Sequence, residues 1–471
     1  MTAQLYPQTI CALASGAGRA GVAVIRLSGP HAGPALKALS GPLPSPRQAA
    51  LRTLRAGQGV AIDQALVLWF PAPASFTGED IAELHVHGGQ AVIAATLDAL
   101  LSLPGLRLAE PGEFTRRAFE HGKLDLTEAE GLADLVDAET EGQRRQALRQ
   151  LQGGLKGLYD GWRSELLAAI ALIEAEIDFP DEDLPEGLAS RAAPQIEALA
   201  QNLCAHLDDH RRGERVRDGY RVAIIGAPNA GKSSLLNALA GREAAIVSPI
   251  PGTTRDVVEV RLVLAGFPVW VADTAGLREA ADIIEAEGVK RALARAEEAD
   301  LRLIVVDAAD PAPIPDAALP HDIIVWNKID LALSVLPREA ELSAQKADEG
   351  GVGSDPPPQS RSARQLGPPG EQEGFPLSTR TGDGLPALIT ALSDRIEKAL
   401  GARETPALSR ARHRALVAQA ADELTAALRA PAPELAGEHL RRAADALGRL
   451  TGRIDVEEVL GEIFGRFCIG K

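Results

Sequence analysis

The spacing of apolar positions divides this 471-residue chain into stretches of different secondary structure. Up to about residue 120, the apolar residues form short runs broken by Gly, Pro and Ser, as in strands joined by tight turns. This pattern predicts a mixed α+β segment. Its strands are predicted at 10–13, 21–25, 65–70 and 81–86, and its helices at 31–39 and 90–101.

The following stretch changes to long helices rich in Ala, Leu and Glu. Leu166, Ile170, Ile173 and Ile177 recur at spacings of four, three and four, which places them on one helix face. Such a stripe is more often the core of a helical bundle than a ligand site. The same helical periodicity returns from 408 to 467.

Between the two helical stretches, three apolar runs each end in a polar motif, which is the alternation expected of a doubly wound α/β fold. A later segment, 350–374, is rich in Gly, Pro, Ser and Gln and predicts a disordered insertion. The predicted fold class is α/β plus α: an α+β domain, then a long helical domain into which an α/β domain is inserted. The predicted boundaries are 1–121, 122–217, 218–400 with the insertion at about 340–374, and 401–471.

The strongest motif is Gly226-Ala-Pro-Asn-Ala-Gly-Lys-Ser-Ser234, which follows the apolar run 222–225. The spacing GxxxxGK[ST] between a strand and a helix lets backbone N–H groups wrap a phosphate chain. Lys232 would neutralise the outer phosphates and Ser233 would ligate Mg²⁺, and the helix N-terminus adds a partial positive charge. The sequence therefore predicts a nucleotide-binding phosphate loop.

Two further motifs identify the base and a metal contact. In Asp273-Thr-Ala-Gly276, Asp273 would hold Mg²⁺ through water and the Gly276 amide would sense the γ-phosphate. In Asn327-Lys-Ile-Asp330, Asp330 can accept two donors from the guanine edge, so the nucleotide is predicted to be GTP and the domain a Ras-like G domain. The last base-contacting loop is predicted at Ser378-Thr-Arg380, which departs from the usual Ser-Ala-Lys.

The loop from Pro249 to Asp256 supplies the switch threonine. Thr254 is predicted as the second Mg²⁺ ligand, with Thr253 as the alternative. The predicted nucleotide contacts are Asn229, Ala230, Gly231, Lys232, Ser233, Ser234, Ser248, Pro249, Ile250, Pro251, Gly252, Thr253, Thr254, Asp273, Thr274, Ala275, Gly276, Asn327, Lys328, Ile329, Asp330, Ser378, Thr379 and Arg380.

Leu277 stands where a Ras-type GTPase carries the glutamine that orients the attacking water, and a leucine cannot do so. Hydrolysis must then use other groups. The side-chain oxygen of Asn229 could coordinate a monovalent cation beside the phosphates. Glu285 could position the water, although an isolated acidic residue more often faces solvent.

The charge of the chain limits its contacts with nucleic acid. The formal net charge of -16 argues against a free-standing nucleic-acid coat, because neutralisation of phosphates dominates such binding. Arginines cluster at 211–217 and 410–414, which we interpret as solvated helix ends or linkers. Contact with RNA would use these local patches or a partner.

Cys11, Cys204 and Cys468 are far apart and lack metal-ligand spacing, which argues against a disulfide framework or a zinc site. His85 and His87 lie at a strand end without a matching cluster, so we favour packing over metal binding for both. No basic-then-apolar leader begins the chain, and no apolar span approaches about 18 residues. We expect a cytoplasmic protein with no membrane contact.

These motifs resemble those of the bacterial tRNA-modification GTPase family MnmE (TrmE) over nearly the full length, apart from the insertion. The G motifs occur in many GTPases, whereas the N-terminal runs and the C-terminal Cys-Ile-Gly-Lys are specific to this family. The segments that carry the resemblance are Gly226–Ser234, Gly252–Asp256, Asp273–Arg278, Asn327–Asp330, Val24–Pro30, Pro111–Phe119, Gly122–Leu126 and Cys468–Lys471.

The resemblance implies a partnership with the FAD-dependent protein MnmG, which carries the FAD. Together they would install an aminomethyl-type group on C5 of the wobble uridine, position 34, of certain tRNAs. The one-carbon donor would be a tetrahydrofolate in its 5-formyl or 5,10-methylene form. Arg26, Glu83, Lys123 and Lys471 match the family's folate-contacting positions in the N-terminal domain, and Cys468 would serve the modification chemistry.

The resemblance also implies K⁺-dependent hydrolysis when two G domains meet, in a homodimer formed through the N-terminal domain. Asn229, Ser248, Ile250 and Thr253 would line the K⁺ site, and Glu285 falls on the water-organising position. The catalytic set is then Asn229, Lys232, Glu285 and Cys468. MnmG would join in a heterotetramer or larger complex, with the tRNA bound mainly through that partner.

Two alternatives remain from the sequence. A ribosome-assembly GTPase shares the phosphate loop but would normally carry a basic RNA-binding appendix, whereas the appendages here are acidic and helical. The second alternative is a folate-binding or aminomethyl-transferring module in which the GTPase activity is merely regulatory.

Overall fold

The computed structural model describes residues 6–178, 188–242, 259–273, 299–311, 319, 321–332, 374–401, 405–454, 457–465, 467 and 469–470. The chain divides into two units, each made of separate stretches of sequence. Unit 1 comprises Met1–Asp137, Ala147–Asp208 and Arg412–Lys471, and unit 2 comprises Ala138–Gln146 and Asp209–Ala411. The predicted insertion at 340–374 lies almost wholly outside the described residues.

The N-terminal part of unit 1 is a six-stranded sheet in the order β3-β4-β5-β2-β1-β6, in which only the β1–β6 pair is parallel. Alternate residues such as Ile25 and Leu27 are fully buried in the core beneath α1 and α2, and the positions between them face the other side. That other side carries Arg26 and Glu83, which are register partners. The elements are β1 (Thr9–Leu13), β2 (Ala20–Ser28), α1 (Ala32–Ser40), β3 (Ala50–Arg55), β4 (Ala61–Phe70), β5 (Ile81–Gly88), α2 (Gln90–Leu101) and β6 (Leu106–Leu108).

Helices make up the rest of unit 1. Leu166, Ile170 and Ile173 are buried and Ile177 is half-buried, so the predicted bundle core is confirmed. Gly437 of the facing helix lies against this stripe, and a Cβ there would make an ordinary van der Waals contact, 3.8 Å from Ile173. The helices are α3 (Glu113–Glu120), α4 (Leu126–Asp137), α5 (Glu141–Leu151, which crosses from unit 2 into unit 1), α6 (Gly154–Asp178), α7 (Leu188–Leu207), α11 (Ala411–Arg429), α12 (Pro433–Thr451) and α13 (Glu457–Gly465).

Unit 2 is built on a six-stranded sheet in the order β12-β11-β10-β7-β9-β8, parallel except for β8. The carboxyl ends of its central strands lie side by side, which is where an α/β sheet binds ligands. The predicted fold class, α/β plus α, is confirmed. The elements are α8 (Arg212–Asp218), β7 (Tyr220–Gly226), α9 (Lys232–Arg242), β8 (Glu259–Leu264), β9 (Phe267–Asp273), β10 (Leu301–Asp307), β11 (Ile323–Asn327), β12 (Gly374–Pro376) and α10 (Leu385–Leu400).

The interpretation of the two arginine clusters as solvated is wrong for Arg212 and Arg412. Arg212 is buried and donates to the carbonyl oxygens of Gly401 and Thr405, each at 3.1 Å. Arg412 donates at 3.0 Å to Glu130, a buried carboxylate of α4. A guanidinium has five N–H donors, so it can bind several acceptors inside a fold and hold chain segments together.

Candidate functional site

The phosphate loop joins the end of β7 to the start of α9, and its shape requires two glycines. Gly226 and Gly231 have φ angles of 152° and 97°. A Cβ on Gly226 would lie 2.2 Å from the carbonyl oxygen of Val305, and one on Gly231 would lie 2.0 Å from Nδ2 of Asn327. Because other side chains fit neither the space nor the dihedral angle, glycine is needed at both points.

Lys232, the first residue of α9, is buried. Its Nζ donates to the carbonyl oxygens of Gly226 and Ala227 at 2.9 and 2.8 Å. These bonds hold the ammonium across the loop, where the N-terminus of α9 also favours anions. The geometry suits a lysine that contacts phosphate oxygens.

Ser233 and Asp273 bring two hard oxygen ligands together. The Ser233 hydroxyl donates to Oδ2 of the buried Asp273 at 2.5 Å. Mg²⁺ typically takes one or two such protein oxygens and completes its octahedron with water and phosphates. Within the described part of the chain there is no cluster of three or more His, Cys, Asp or Glu that would bind a metal more fully. The pair therefore fits a Mg²⁺ ion bound together with a nucleotide.

Asn327 connects the guanine motif to the phosphate loop and is fully buried. Its Nδ2 donates to the carbonyl oxygen of Ala230 at 2.9 Å, and its Oδ1 accepts from the Thr379 amide at 3.2 Å. One side chain thus fixes the positions of three loops. This accounts for the residue type, because an amide is needed to donate and accept at once.

Asp330 is held by the loop that follows β12. Its Oδ1 accepts from the Ser378 hydroxyl at 2.7 Å, and its Oδ2 pairs with Nε of Arg380 at 3.0 Å. The bond from Ser378 and the charge of Arg380 lower the pKa of this carboxyl. Asp330 is therefore an ionised acceptor at neutral pH, as recognition of guanine N–H groups requires.

The partner of Lys328 is not indicated by any sequence motif. Its Nζ lies 2.6 Å from Oδ2 of Asp307, the last residue of β10, which is in register with Asn327 at the end of β11. The only signal was that Asp307 ends an apolar run. The ion pair joins the guanine motif to the neighbouring strand.

Several predicted site residues lie outside the described residues, so their positions stay predictions. They are Ser248, Pro249, Ile250, Pro251, Gly252, Thr253, Thr254, Thr274, Ala275, Gly276, Glu285, Cys468 and Lys471.

A second candidate site lies on the face of the N-terminal sheet opposite α1 and α2. Arg26 pairs with Glu83 at 2.9 Å, and both line a cavity of about 430 Å³. The guanidinium of Arg26 lies 5.7 Å from the ring centroid of Phe76, another lining residue. A cavity with a few polar groups among aromatic rings is typical of small-molecule sites. Its size and its donor–acceptor pair fit a pterin ring.

The C-terminal segment reaches the same sheet. Ile469 forms an antiparallel bridge with Pro111. Gly470 has a φ of 98°, and a Cβ there would lie 2.1 Å from the carbonyl oxygen of Leu13 in β1. Since Leu13 pairs with Ile25, the neighbour of Arg26 in β2, Gly470 lies one strand away from the strand that carries Arg26. Lys123 lies near the loop after β4, with its Cε 3.3 Å from a Cβ position on Gly78.

The two histidines of β5 differ in their surroundings. His85 contacts Glu83 at 3.2 Å. The packing interpretation is wrong for His87, whose side chain is 71% exposed and bonds to Asp63 at 2.7 Å. It lies where the strand end meets solvent.

Two family profiles match the chain. The profile described as GTP-binding protein TrmE N-terminus matches residues 9–123, and the one described as MnmE helical domain matches residues 126–468.

None of the described helices is long and apolar enough to cross a lipid bilayer.

Curated relatives match end to end. A tRNA modification GTPase MnmE of Parvibaculum lavamentivorans is 55% identical and covers 98% of this chain and 100% of its own length. Those of Maricaulis maris and Rhodospirillum rubrum are 54% and 52% identical, each covering 98% of this chain and 99% of its own. Among solved structures, the G domain of the T. maritima FeoB iron transporter is 22% identical and covers 38% of this chain and 98% of its own, with a TM-score of 0.23. Given the identities to the curated relatives and the extent of the profiles, this chain belongs to the tRNA modification GTPase MnmE family.

Proposed function

We propose that this chain hydrolyses GTP to drive modification of C5 of the wobble uridine, position 34, of certain tRNAs, in the cytoplasm and together with FAD-carrying MnmG. Family membership supports the GTPase and the tRNA substrate class. The role in wobble-uridine modification is supported by one observation above all. Ile469 and Gly470 lie against the N-terminal sheet, next to the strand that pairs with the strand of Arg26. The position of these two residues of the family's C-terminal motif supports a role for the motif at the candidate folate site.

In the G domain, residues 218–400, the described side chains of the motifs would bind different parts of the nucleotide or hold the loops around it. Lys232 offsets phosphate charge, Asp330 accepts the guanine N–H donors, and Asn327 keeps the loops in register. Ser233 would hold Mg²⁺ with Thr254, and Asp273 through water. The metal supplies neutralisation of charge on the phosphate oxygens.

Asn229 is the described member of the proposed K⁺ site, with Ser248, Ile250 and Thr253 as the other members. Its φ of 62° is a left-handed conformation that asparagine tolerates better than most residues. A bound K⁺ supplies positive charge of the kind that an arginine finger provides in other GTPases, a contribution of roughly 10³ to 10⁵ in rate. Glu285 would position the water.

The N-terminal domain, residues 1–121, would bind 5-formyl- or 5,10-methylene-tetrahydrofolate. Glu83 is a carboxylate suited to pterin N–H donors, and Arg26 holds its orientation. Lys123 and Lys471 would contact carbonyl or carboxylate oxygens, and Cys468 would act in the transfer. The folate supplies the one-carbon unit.

The same domain would form the homodimer. Leu51 and Leu66 are register partners at the sheet edge made by β3, and they are 63% and 44% exposed. An edge strand with exposed leucines is a surface that a second copy would cover. The helical domain, residues 122–217 and 401–471, would link this dimer to the G domains.

The test is a deletion strain complemented with this chain, with tRNA nucleosides measured by mass spectrometry. The wild type should restore the C5 modification only when MnmG is present, and Glu83→Gln should not. Unmodified wobble uridine with a defect in ribosomal subunit assembly would instead support the ribosome-assembly alternative. Folate-dependent transfer without MnmG would support the folate-module alternative.

A further inference from the structure

The cavity that holds Arg26 and Glu83 contains a second arginine, Arg47, which no motif singles out. Arg47 precedes β3 and has a φ of 62°, a left-handed conformation that costs free energy for a residue other than glycine. Its guanidinium lies 5.7 Å from the ring centroid of Phe70, another residue that lines the cavity. A strained, exposed arginine over an aromatic ring at the rim of a cavity is a candidate ligand contact.

Arg47 and Arg26 differ in how their charges are compensated. Arg26 pairs with Glu83 at 2.9 Å. Arg47 donates to the neutral carbonyl oxygen of Ala74, and among the described residues no carboxylate pairs with it. The positive charge at the rim is therefore available to an anion, whereas the charge at the inner pair is matched by Glu83.

The register of the sheet sets the distance between the two ends of the cavity, one at Arg26 and the other at Phe70, which lies against Arg47. Arg26 pairs with Glu83 of β5, and Phe70 of β4 pairs with Ile81 of β5. Phe70 thus lies two strands away from Arg26 and two residues along, which corresponds to roughly 12 Å between backbones. In a folate, an aminobenzoyl spacer separates the pterin ring from the glutamate carboxylates over a similar span.

We propose that Arg47 binds the glutamate carboxylates of the folate, while the pterin ring lies at the Arg26–Glu83 end of the cavity. This inference rests on the proposed folate site and adds to it the residue that selects a folate over a bare pterin. The phenylalanine rings between the two ends provide an apolar surface for the aminobenzoyl group.

The test is isothermal titration of the full chain with two probes, 5-formyltetrahydrofolate and 6-methyltetrahydropterin, which lacks the glutamate. Arg47→Gln should weaken folate binding by at least tenfold, and 6-methyltetrahydropterin binding should stay within about twofold. Arg47→Lys should recover part of the folate affinity, and added salt should weaken folate binding in the wild type more than in Arg47→Gln. Arg55→Gln is the matched control, since Arg55 is also exposed and also donates to a backbone carbonyl, that of Gly59, at 2.9 Å.

The proposal is overturned if Arg47→Gln binds the folate like the wild type. It is also overturned if both probes weaken by the same factor, because Arg47 would then only support the loop at Ala74. A wild type that binds neither probe would instead refute the folate site itself, and the two failures are thus distinguishable.

Discussion

At the scale of single residues, the proposed K⁺ response of GTP hydrolysis rests on Asn229 of the phosphate loop. We predict that the wild type hydrolyses GTP much faster in K⁺ than in Na⁺ at equal ionic strength, because Leu277 cannot orient water. Asn229→Ala should lose this response while GTP affinity stays within about tenfold, or about 1.4 kcal/mol. Asn229→Gly is the matched control for the backbone, since glycine accepts the φ of 62°.

Steady-state rates in the two salts, with fluorescent-GTP titrations alongside, measure both quantities. Equal wild-type rates in K⁺ and Na⁺ would contradict the proposed K⁺-dependent hydrolysis. If Asn229→Gly kept the K⁺ response, the side chain of Asn229 would not be a K⁺ ligand.

Gly231 gives a second residue-scale prediction. A Cβ there would lie 2.0 Å from Nδ2 of Asn327, and its φ of 97° is unsuited to alanine. Gly231→Ala should therefore weaken GTP binding at least tenfold, about 1.4 kcal/mol. In contrast, a Cβ on Gly241, within α9, meets nothing within 4 Å, so Gly241→Ala should bind GTP normally and gain up to about 1 kcal/mol of helix stability. Similar GTP affinities in the two variants would contradict the crowded geometry.

The residues that could be predicted from the sequence are those whose chemistry depends on neighbours in the chain. The phosphate loop and the guanine motif are short contiguous segments, so their spacing alone indicated their roles. Asp307 and Arg47 could not be predicted in this way, since their partners Lys328 and Phe70 are brought close only by strand pairing and loop folding.

At the scale of elements, the start of α4 is a capping box. Oδ1 of Asp125 accepts from the Glu128 amide at 2.8 Å, and Oε2 of Glu128 accepts from the Asp125 amide at 2.7 Å. Burial raises the pKa of the Asp125 carboxyl. The unfolded chain therefore loses this proton at a lower pH than the folded chain, and stability falls as pH rises from about 4 through the folded pKa.

We predict opposite effects for two substitutions of Asp125. Asp125→Ala removes the cap, so it should cost about 1 kcal/mol at pH 4.5 and less at pH 7.5, where it also removes the buried charge. Asp125→Asn keeps the acceptor and removes the buried charge, so it should be at least as stable as the wild type at pH 7.5, with a smaller difference at pH 4.5. Thermal denaturation of the three proteins at the two pH values measures this. A loss of stability in Asp125→Asn equal to that in Asp125→Ala would disprove the role of buried charge.

The same scale shows why some elements escaped prediction. Helix α3 has only a short buried apolar pair, Phe114 and Ala118, and four of its eight residues are Arg or Glu, yet it buries Arg117 completely. Arg117 pairs with Glu113 at 2.8 Å and with Glu79 at 3.0 Å. Burial of a charge is possible only when its partners are in place, and Glu79 is 38 residues away in sequence. The hydrophobic periodicity of a sequence indicates which apolar residues are buried, but it does not indicate ion pairs of this kind.

At the scale of the whole molecule, the division into two units separates the GTP chemistry from the candidate folate site. The phosphate loop and the guanine motif belong to unit 2, whereas Arg26, Glu83 and the C-terminal segment belong to unit 1. The net charge of -16 also disfavours tight binding of tRNA by this chain alone, which agrees with a proposed partner that holds the RNA.

This separation leads to a prediction for residues 468–471. Their removal takes away the bridge from Ile469 to Pro111 and the contact of Gly470 with Leu13, all within unit 1. K⁺-stimulated GTP hydrolysis should therefore stay within a few-fold of the wild type, while wobble-uridine modification should be abolished or severely reduced. Cys468→Ser should have the same two effects, and Cys204→Ser is the matched control because that thiol is exposed on α7. Mass spectrometry of tRNA nucleosides and a phosphate-release assay measure the two outputs, and full modification by the truncated protein would refute the assignment of these residues to the modification reaction.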